Sequence, residues 1–501
     1  MSHSRGAHQL RLGGSYVYIQ DNRTFGAYQD PTAALGTNLR NAMENFLNGK
    51  LYSFQGAINP QGKFPCGATV TDACTVKLPV GQPNFSRSNR YHEFAAYAQD
   101  SWRATPRLTF NLGLRWEYFG VQHNRDPQLD SNYYDGGGGT IFERIRNGNV
   151  YPAPLSSIGG LWVKDYNNLA PRLGFAWDIF GNGKTSLRGG YGIGYERNFG
   201  NVTFNVIQNP PNYAVISLVS GVDVPSIDIP IDVAGPLAGS TGTKALPRVS
   251  LRNVDSNLRT AYAHLWSATL ERQVYNRVFV ALDYSGSKGE KLYSIENPNR
   301  AGAGNVYLGD PCTPGSCTSR LRTTQYTNIN RRGGNGFSNH NAMNVRVTIN
   351  NLADSGLTLT SNYTWGHTID NLSSTFSEAS NNFNLGLLDP FNPKLDRGNA
   401  DFDIRHRWAI SGAWDVPFAR SVKGVARHIL HGWTLAPILT LRTGEPFTIW
   451  DSNLSGNNGV YPRLFTKGPV VRKGSGNPAG DPSTPNSFMY ILLPDSSVDE
   501  S

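Results

Sequence analysis

RLTFNLGLRWEYF, residues 107–119, alternates without a break. Leu108, Phe110, Leu112, Leu114, Trp116 and Tyr118 fall on one face of an extended chain, and Arg107, Thr109, Asn111, Gly113, Arg115 and Glu117 on the other. A period of two marks a β-strand with one apolar face. The run is about twice as long as the usual globular strand of five or six residues. The pattern recurs. Thr185–Glu196 sets Leu187, Tyr191, Ile193 and Tyr195 against Ser186, Arg188, Glu196 and a set of glycines. Met343–Ile349 sets Met343, Val345, Val347 and Ile349 against Asn344, Arg346 and Thr348. Leu357–Trp365 sets Leu357, Leu359, Tyr363 and Trp365 against threonines and Asn362. Ile404–Val416 sets Ile404, Trp408, Ile410, Trp414 and Val416 against Asp403, Arg405, Arg407 and Asp415.

About eleven strands are expected, at 8–19, 91–103, 107–120, 170–180, 184–196, 259–273, 277–286, 340–351, 356–368, 402–417 and 432–443. Tight connections join them in pairs: ATP after Arg103, FGNGK at 180–184, VYNR at 274–277 and NLADSG at 351–356. Between pairs lie long stretches rich in Gly, Pro, Asn and Ser, at 20–90, 121–169, 197–258, 287–339 and 369–401. These read as loops without order of their own. Short turns at one end and long loops at the other is the plan of an all-β, antiparallel, up-and-down transmembrane barrel. Residues 1–450 are assigned to it and 451–501 to an irregular tail.

Aromatic placement gives an independent check. Strands leaving the short turns finish in Trp116, Tyr118, Tyr195 or Trp365 on the apolar face, and strands returning carry Trp102, Trp177 or Trp414 near their ends. Two such belts suit the two headgroup layers of a bilayer. Cross-strand aromatic packing in a sandwich would explain the rings but not their placement at both ends. The expected lipid face holds Leu112, Leu114, Ile193, Val347, Leu359 and Ile410, and the expected lumen face Arg115, Arg188, Arg346, Arg405 and Arg407. Asp100 shares the parity of Trp102 and breaks the apolar row near the rim.

Composition agrees. Of 501 residues 39% are hydrophobic, and no run approaches the roughly 18 apolar residues of a membrane helix. Mean hydropathy is −0.40, an average that alternating strands also give. The net charge of +9 comes from arginines scattered singly, not from the clustered patch that nucleic acid requires. Cys66 and Cys74, and Cys312 and Cys317, form local pairs in loop-like sequence, as small disulfides of an oxidising compartment would. A site of four metal-bound thiolates is the rival; it lacks C-x-x-C spacing and a nearby His. Neither H-E-x-x-H, G-x-S-x-G nor a Walker-type loop is present, and the histidines form no ligand pattern. GGYGIGY at 189–195 resembles a phosphate loop only by letter count, since no helix follows it; small residues on a strand face explain it better. No enzyme activity, metal or cofactor is expected.

The segments YAQDSWRATPRLTFNLGLRWEYFG (97–120), NLAPRLGFAWDIFGNGKTSLRGGYGIGYER (168–197), FDIRHRWAISGAWDVPF (402–418) and GWTLAPILTLRTGEPF (432–447) resemble the Oar-like branch of TonB-dependent outer-membrane transporters. HQLRLGGSYVYIQDN (8–22) resembles an earlier strand of such a barrel. The resemblance covers roughly residues 8–450, and the D-S-W…P-R-L…N-L-G-L-R-x-E-Y-F run is its most specific part. It implies a cell-outer-membrane protein of a Gram-negative type of bacterium. In the complete family member a signal peptide, a regulatory-like sandwich and a plug accompany a barrel of about 22 strands. The partners implied are outer-membrane lipid, a TonB-type energy-coupling protein and an unknown, large ligand, with no nucleic acid. The first fourteen residues hold no signal-type apolar run, and no plug or closing strand is recognisable. A fragment with an incomplete, open barrel and disordered loops, unable to transport alone, is therefore expected. The alternative function is a passive porin-like or adhesive barrel.

Overall fold

The computed structural model describes residues 1–24, 28–197, 208–221, 223–228, 241–299, 321–322, 324–373, 387, 390–416, 424–426, 432–446, 464–466, 471–473, 490–492 and 498–500. A meander of antiparallel strands dominates: β1 (Ser2–Arg5), β2 (His8–Thr24), β3 (Ser86–Thr105), β4 (Leu108–Phe119), β5 (Asn168–Asp178) and β6 (Thr185–Tyr195). It continues through β7 (Tyr262–Tyr275), β8 (Val278–Glu296), β9 (Tyr326–Asn350), β10 (Leu357–Asp370), β11 (His406–Asp415) and β12 (Ile438–Arg442). Each strand pairs with the next in sequence. Among the described residues β1 and β12 have no second neighbour, so the sheet is open there.

Each expected strand is present, but the strand count was too low. The extra member, β1, reads SHSR and carries no apolar alternation; it is held by backbone pairing to β2 across a two-residue turn with Gly6 at φ 57°. Further short strands lie in the loops. The stretch 432–443 is interrupted: Thr434–Leu435 and β12 flank Pro437, which lacks the N–H a continuous ladder needs. Residues 402–405 precede β11 instead of joining it. The tail, expected to be irregular, holds two short ladders, Leu464–Thr466 with Val498–Glu500 and Val471–Lys473 with Tyr490–Leu492.

The larger correction concerns the loops. β2, β3, β8 and β9 run well beyond their expected ends, and the connecting segments pack on these extensions as an ordered cap. Thr32–Ala34 pairs with Ser53–Ile58, which pairs with Ala214–Val219. That strand meets Val249–Val254, which runs parallel to the start of β9. Segments of three loops thus build one sheet. Its core joins Leu51, Phe54, Ile58, Val76, Tyr133, Val150, Ile216, Leu218, Leu246, Leu251, Tyr326 and Ile329, all nearly inaccessible. Burial of each such aliphatic side chain contributes roughly 1.5–3 kcal/mol.

Helix α1 (Ile141–Asn147) closes one side of the cap. Its start is set by a capping box, in which Thr140 Oγ1 accepts from Glu143 N–H at 3.1 Å and the Glu143 carboxylate accepts from Thr140 N–H at 2.9 Å. It turns Phe142 and Ile145 inward. In the wall the same apolar residue types stay accessible: Leu114 and Leu173 are each 50% exposed, while Leu251 is 0%. The hydrophobic core therefore lies in the cap, and the wall offers its apolar face outward.

Candidate functional site

The ladder registers extend the two-faced pattern from β2 onward through the meander. Residues directly opposite one another share a face. One row runs through Leu12, Ala98, Leu114 and Pro171, another through Leu112, Leu173, Tyr191, Trp266, Gly286 and Asn341. Val347, Leu359 and Ile410 lie on this apolar face, as does Ile193. Where glycine interrupts it, a ring fills the gap: a Cβ on Gly189 would sit 2.6 Å from the Phe175 ring. Asp100 on this face is engaged by His8 Nδ1 at 2.7 Å, and the His8 ring stacks on Trp102.

Arg115, Arg188, Arg346 and Arg407 occupy the opposite face, with Ala170, Thr269, Ala281 and Thr364 among their ladder neighbours. Glu271 gathers two of them, Arg188 at 3.0 Å and Arg346 at 3.8 Å. Arg115 pairs with Glu117 at 2.9 Å. Arg11, Arg115 and Arg172 line a hollow of about 270 Å³ together with Tyr97, Gln99 and Gly113. Sequence reading missed Arg11 and Arg172 as members, because only the register brings residues of β2, β4 and β5 to one spot.

Arg405 does not join this row. It precedes β11, and its guanidinium reaches Asp403 at 3.1 Å and His367 Nε2 at 2.9 Å. His367 lies opposite Asn341 on the aromatic-bearing face. The strand parity that placed Arg405 with Arg407 fails because the strand has not yet begun. The Asp403 carboxylate, also bound by Thr368 N–H at 2.7 Å, ties the loop to the end of β10.

The aromatic residues separate into two levels on the apolar face. Trp102 packs on Phe110 with ring centroids 5.6 Å apart, and Trp177 and Trp414 face Leu108 and Leu357 beside the short turns. At the loop end Trp116 faces Leu169, Tyr118 packs on Tyr166 and Tyr195 on Tyr262. Trp365 faces His406. Sequence reading left the histidines unassigned, yet three of them form one repeated motif. Tyr16 meets His92 Nδ1 at 3.0 Å, Tyr191 meets His264 Nδ1 at 2.7 Å, and Tyr363 meets His406 Nδ1 at 2.8 Å. Each tyrosine sits on a strand leaving a short turn, and each histidine on the strand that returns through the next long loop.

Within the cap, Cys66 and Cys74 are joined by a disulfide. Cys312 and Cys317 lie outside the described residues. Buried asparagines hold the loops together. Asn132 donates to Leu161 O and Val254 O and accepts from Val254 N–H and the Asn253 amide. Asn209 donates to Ser131 O and accepts from Arg252 N–H, and Asn299 donates to Thr327 O and accepts from Arg322 N–H. Arg331, buried, is paired with Asp135 at 2.7 Å. Burial pushes the Asp130 carboxyl up to about 7, against the opposing pull of the Asn124 N–H and of Arg87. Among the described residues no group of three or more His, Cys, Asp or Glu side chains could hold a metal ion.

An open-ended meander with one apolar and one arginine-bearing face, short turns at one end and a cap at the other is an outer-membrane architecture. The chain belongs to the family described as Outer membrane beta barrel domain, whose pattern matches residues 1–490. It is a protein of the bacterial outer membrane. No curated protein matches it in sequence. Among solved structures it is similar to the outer membrane transporter YddB of Escherichia coli, with 10% identity and a TM-score of 0.39 over 93% of this chain and 53% of that one. It is also similar to the alcaligin receptor FauA of Bordetella pertussis, with 11% identity and a TM-score of 0.31 over 87% of this chain and 47% of that one. The ferripyoverdine receptor of Pseudomonas aeruginosa gives 9% identity and a TM-score of 0.35 over 93% of this chain and 42% of that one. The chain thus spans about half the length of these proteins.

Proposed function

We propose that this chain forms much of the wall and the outer mouth of a transporter of the TonB-dependent, Oar-like kind, with its apolar face in lipid and its arginine face toward the lumen. The observation that carries this reading is the register: a single apolar face and a single polar face persist through the meander from β2 to β12. In a protein of the outer membrane, an exposed apolar face of this extent is the face that lipid covers. The polar face is arginine-rich and dotted with glycine, which suits a lumen wall that another part of the polypeptide approaches closely. The hollow at Arg11, Arg115 and Arg172 favours acidic groups, whether of a plug or of a passing solute. Capture falls to the cap and energy to a TonB-type coupling protein acting on the complete polypeptide.

The test is paired cysteine labelling of the protein exported to the outer membrane. Leu112→Cys and Leu173→Cys should resist a water-soluble maleimide and react with a lipid-phase reagent, and Asn111→Cys and Gly174→Cys should do the reverse. Equal aqueous labelling of both sets would overturn the assignment of faces. Uptake of a ferric siderophore, as first probe, is then compared in hosts with and without the coupling protein. Uptake that persists without it refutes energised transport and leaves a passive pore.

A further inference from the structure

The apolar face carries a groove at its loop end that the proposed transport does not use. Its floor is aromatic: Tyr16, Phe94 and Tyr118 come from β2, β3 and β4, with centroid separations of 5.0 and 6.2 Å. Its rim holds His92, His123 and Lys164, and the hollow between them measures about 640 Å³. Tyr16 and His92 are one of the Tyr–His pairs described above, so the groove sits at the level where the apolar face acquires hydrogen-bonding groups. That is where a bilayer passes from hydrocarbon to headgroup.

Three basic side chains line this groove and no acidic one does. The nearest candidates for neutralising them are committed elsewhere. Asp165, next to Lys164, is held by Arg259 at 3.4 Å and by Thr260 N–H at 3.0 Å. Glu93, next to His92, faces the opposite side and meets Arg197 at 3.5 Å. Lys164 and His123 are exposed and make no ion pair among the described residues. Arg90, opposite His123 in the ladder, has a buried Nε without a hydrogen-bond partner. Below the groove the apolar rows continue through Leu12, Leu114 and Leu169.

We infer that this groove binds a phosphate-bearing lipid of the outer leaflet, with the phosphate between Lys164, His123 and His92 and an acyl chain laid over Tyr16, Phe94 and Tyr118. The Lys164 ammonium and the hydrogen-bonding imidazoles select an anion, and the aromatic floor with its apolar continuation selects an amphiphile over a free ion. The inference rests on the apolar face being the lipid face.

The probe is lipid A in its phosphorylated and dephosphorylated forms, offered in mixed micelles to the purified protein and read by native mass spectrometry. Retention of the phosphorylated form is expected, with about tenfold weaker retention in Lys164→Glu, in His123→Glu and for the dephosphorylated lipid, comparable to one charge-assisted hydrogen bond. Both substituted side chains are exposed, so unchanged heat-modifiable mobility on gels serves as the folding control, and Lys164→Gln gives a milder second variant. Equal retention by wild type and both Lys164 variants overturns the site. So does full displacement by inorganic phosphate, which would make it a site for the free ion. If Leu112→Cys is also labelled from water, the underlying assignment of faces has failed; if it is protected, only the lipid site has.

Discussion

Replacing Asn132 by Leu should loosen the cap while leaving the wall intact. The amide is buried, and its bonds join a segment of one loop to a strand from another: Leu161 O at 3.1 Å, Val254 O at 2.9 Å and Val254 N–H at 3.0 Å. Leucine preserves the volume and removes every one of these bonds. Val254 O and the Asn253 amide retain each other at 3.0 Å, so the groups left stranded are the Leu161 carbonyl and the Val254 N–H. An unsatisfied buried backbone group costs about 1–3 kcal/mol, which sets the loss at roughly 2–6 kcal/mol. The added apolar contact offsets part of it, since a buried leucine contributes about 1.5–3 kcal/mol. Midpoint less midpoint leaves about 2 kcal/mol as the expected net loss. Hydrogen–deuterium exchange reads it directly. Peptides over 131–163 and 249–261 should exchange about 30-fold faster or more, the factor that 2 kcal/mol represents, while 108–119 in the wall keeps its wild-type rate. Protection of both cap peptides within about threefold of wild type would refute the reasoning. Faster exchange of the wall by the same factor would refute the separation of cap from wall.

Leu112→Arg should impair assembly into bilayers by roughly 2–4 kcal/mol, whereas Asn111→Arg on the facing side should be tolerated, as read by heat-modifiable mobility after folding into vesicles. Asp130 should make the cap less stable as pH rises: its folded pKa of about 7 exceeds the usual carboxylate value, so the folded form holds a proton that the unfolded chain has released. Stability then falls between about pH 4 and pH 7, by at most about 4 kcal/mol, and is flat above that. Asp130→Asn should abolish the slope in protease resistance of the cap. Removing the Cys66–Cys74 disulfide by paired serine substitution should destabilise its segment by roughly 2–3 kcal/mol, from the entropy of the short loop it closes, and raise cleavage of 60–80 by added protease.

The wall was legible because its strands alternate for a dozen residues or so. In β4 the parity of Leu112 and Arg115 follows from the sequence alone, and the ladders to β3 and β5 keep it. β1 was illegible because SHSR has no period and owes its place to the backbone of β2. The cap was read as unstructured because loops rich in Gly, Pro, Asn and Ser usually are. Two signals were available: YAVISLV at 213–219 and VSLRNV at 249–254 are short β-branched apolar runs of the kind that buried strands show. The asparagines gave no such signal, since an Asn that turns a loop and an Asn that bridges two loops look alike in sequence.

The sequence by itself determined which side chains within a wall strand share a face and that aromatics mark both ends of the wall. These are properties of neighbours along one chain, fixed by the two-residue repeat of an extended backbone. Only the tertiary structure decided which strands lie side by side, and with that the grouping of Arg11 with Arg115 and Arg172, the Tyr–His pairs and the Arg405–His367 contact. It also decided that the long connections share a core, with Phe54, Leu251 and Ile329 packed together from three separate loops. Such contacts depend on register and on distances between segments far apart in the chain, and a local repeat carries information about neither.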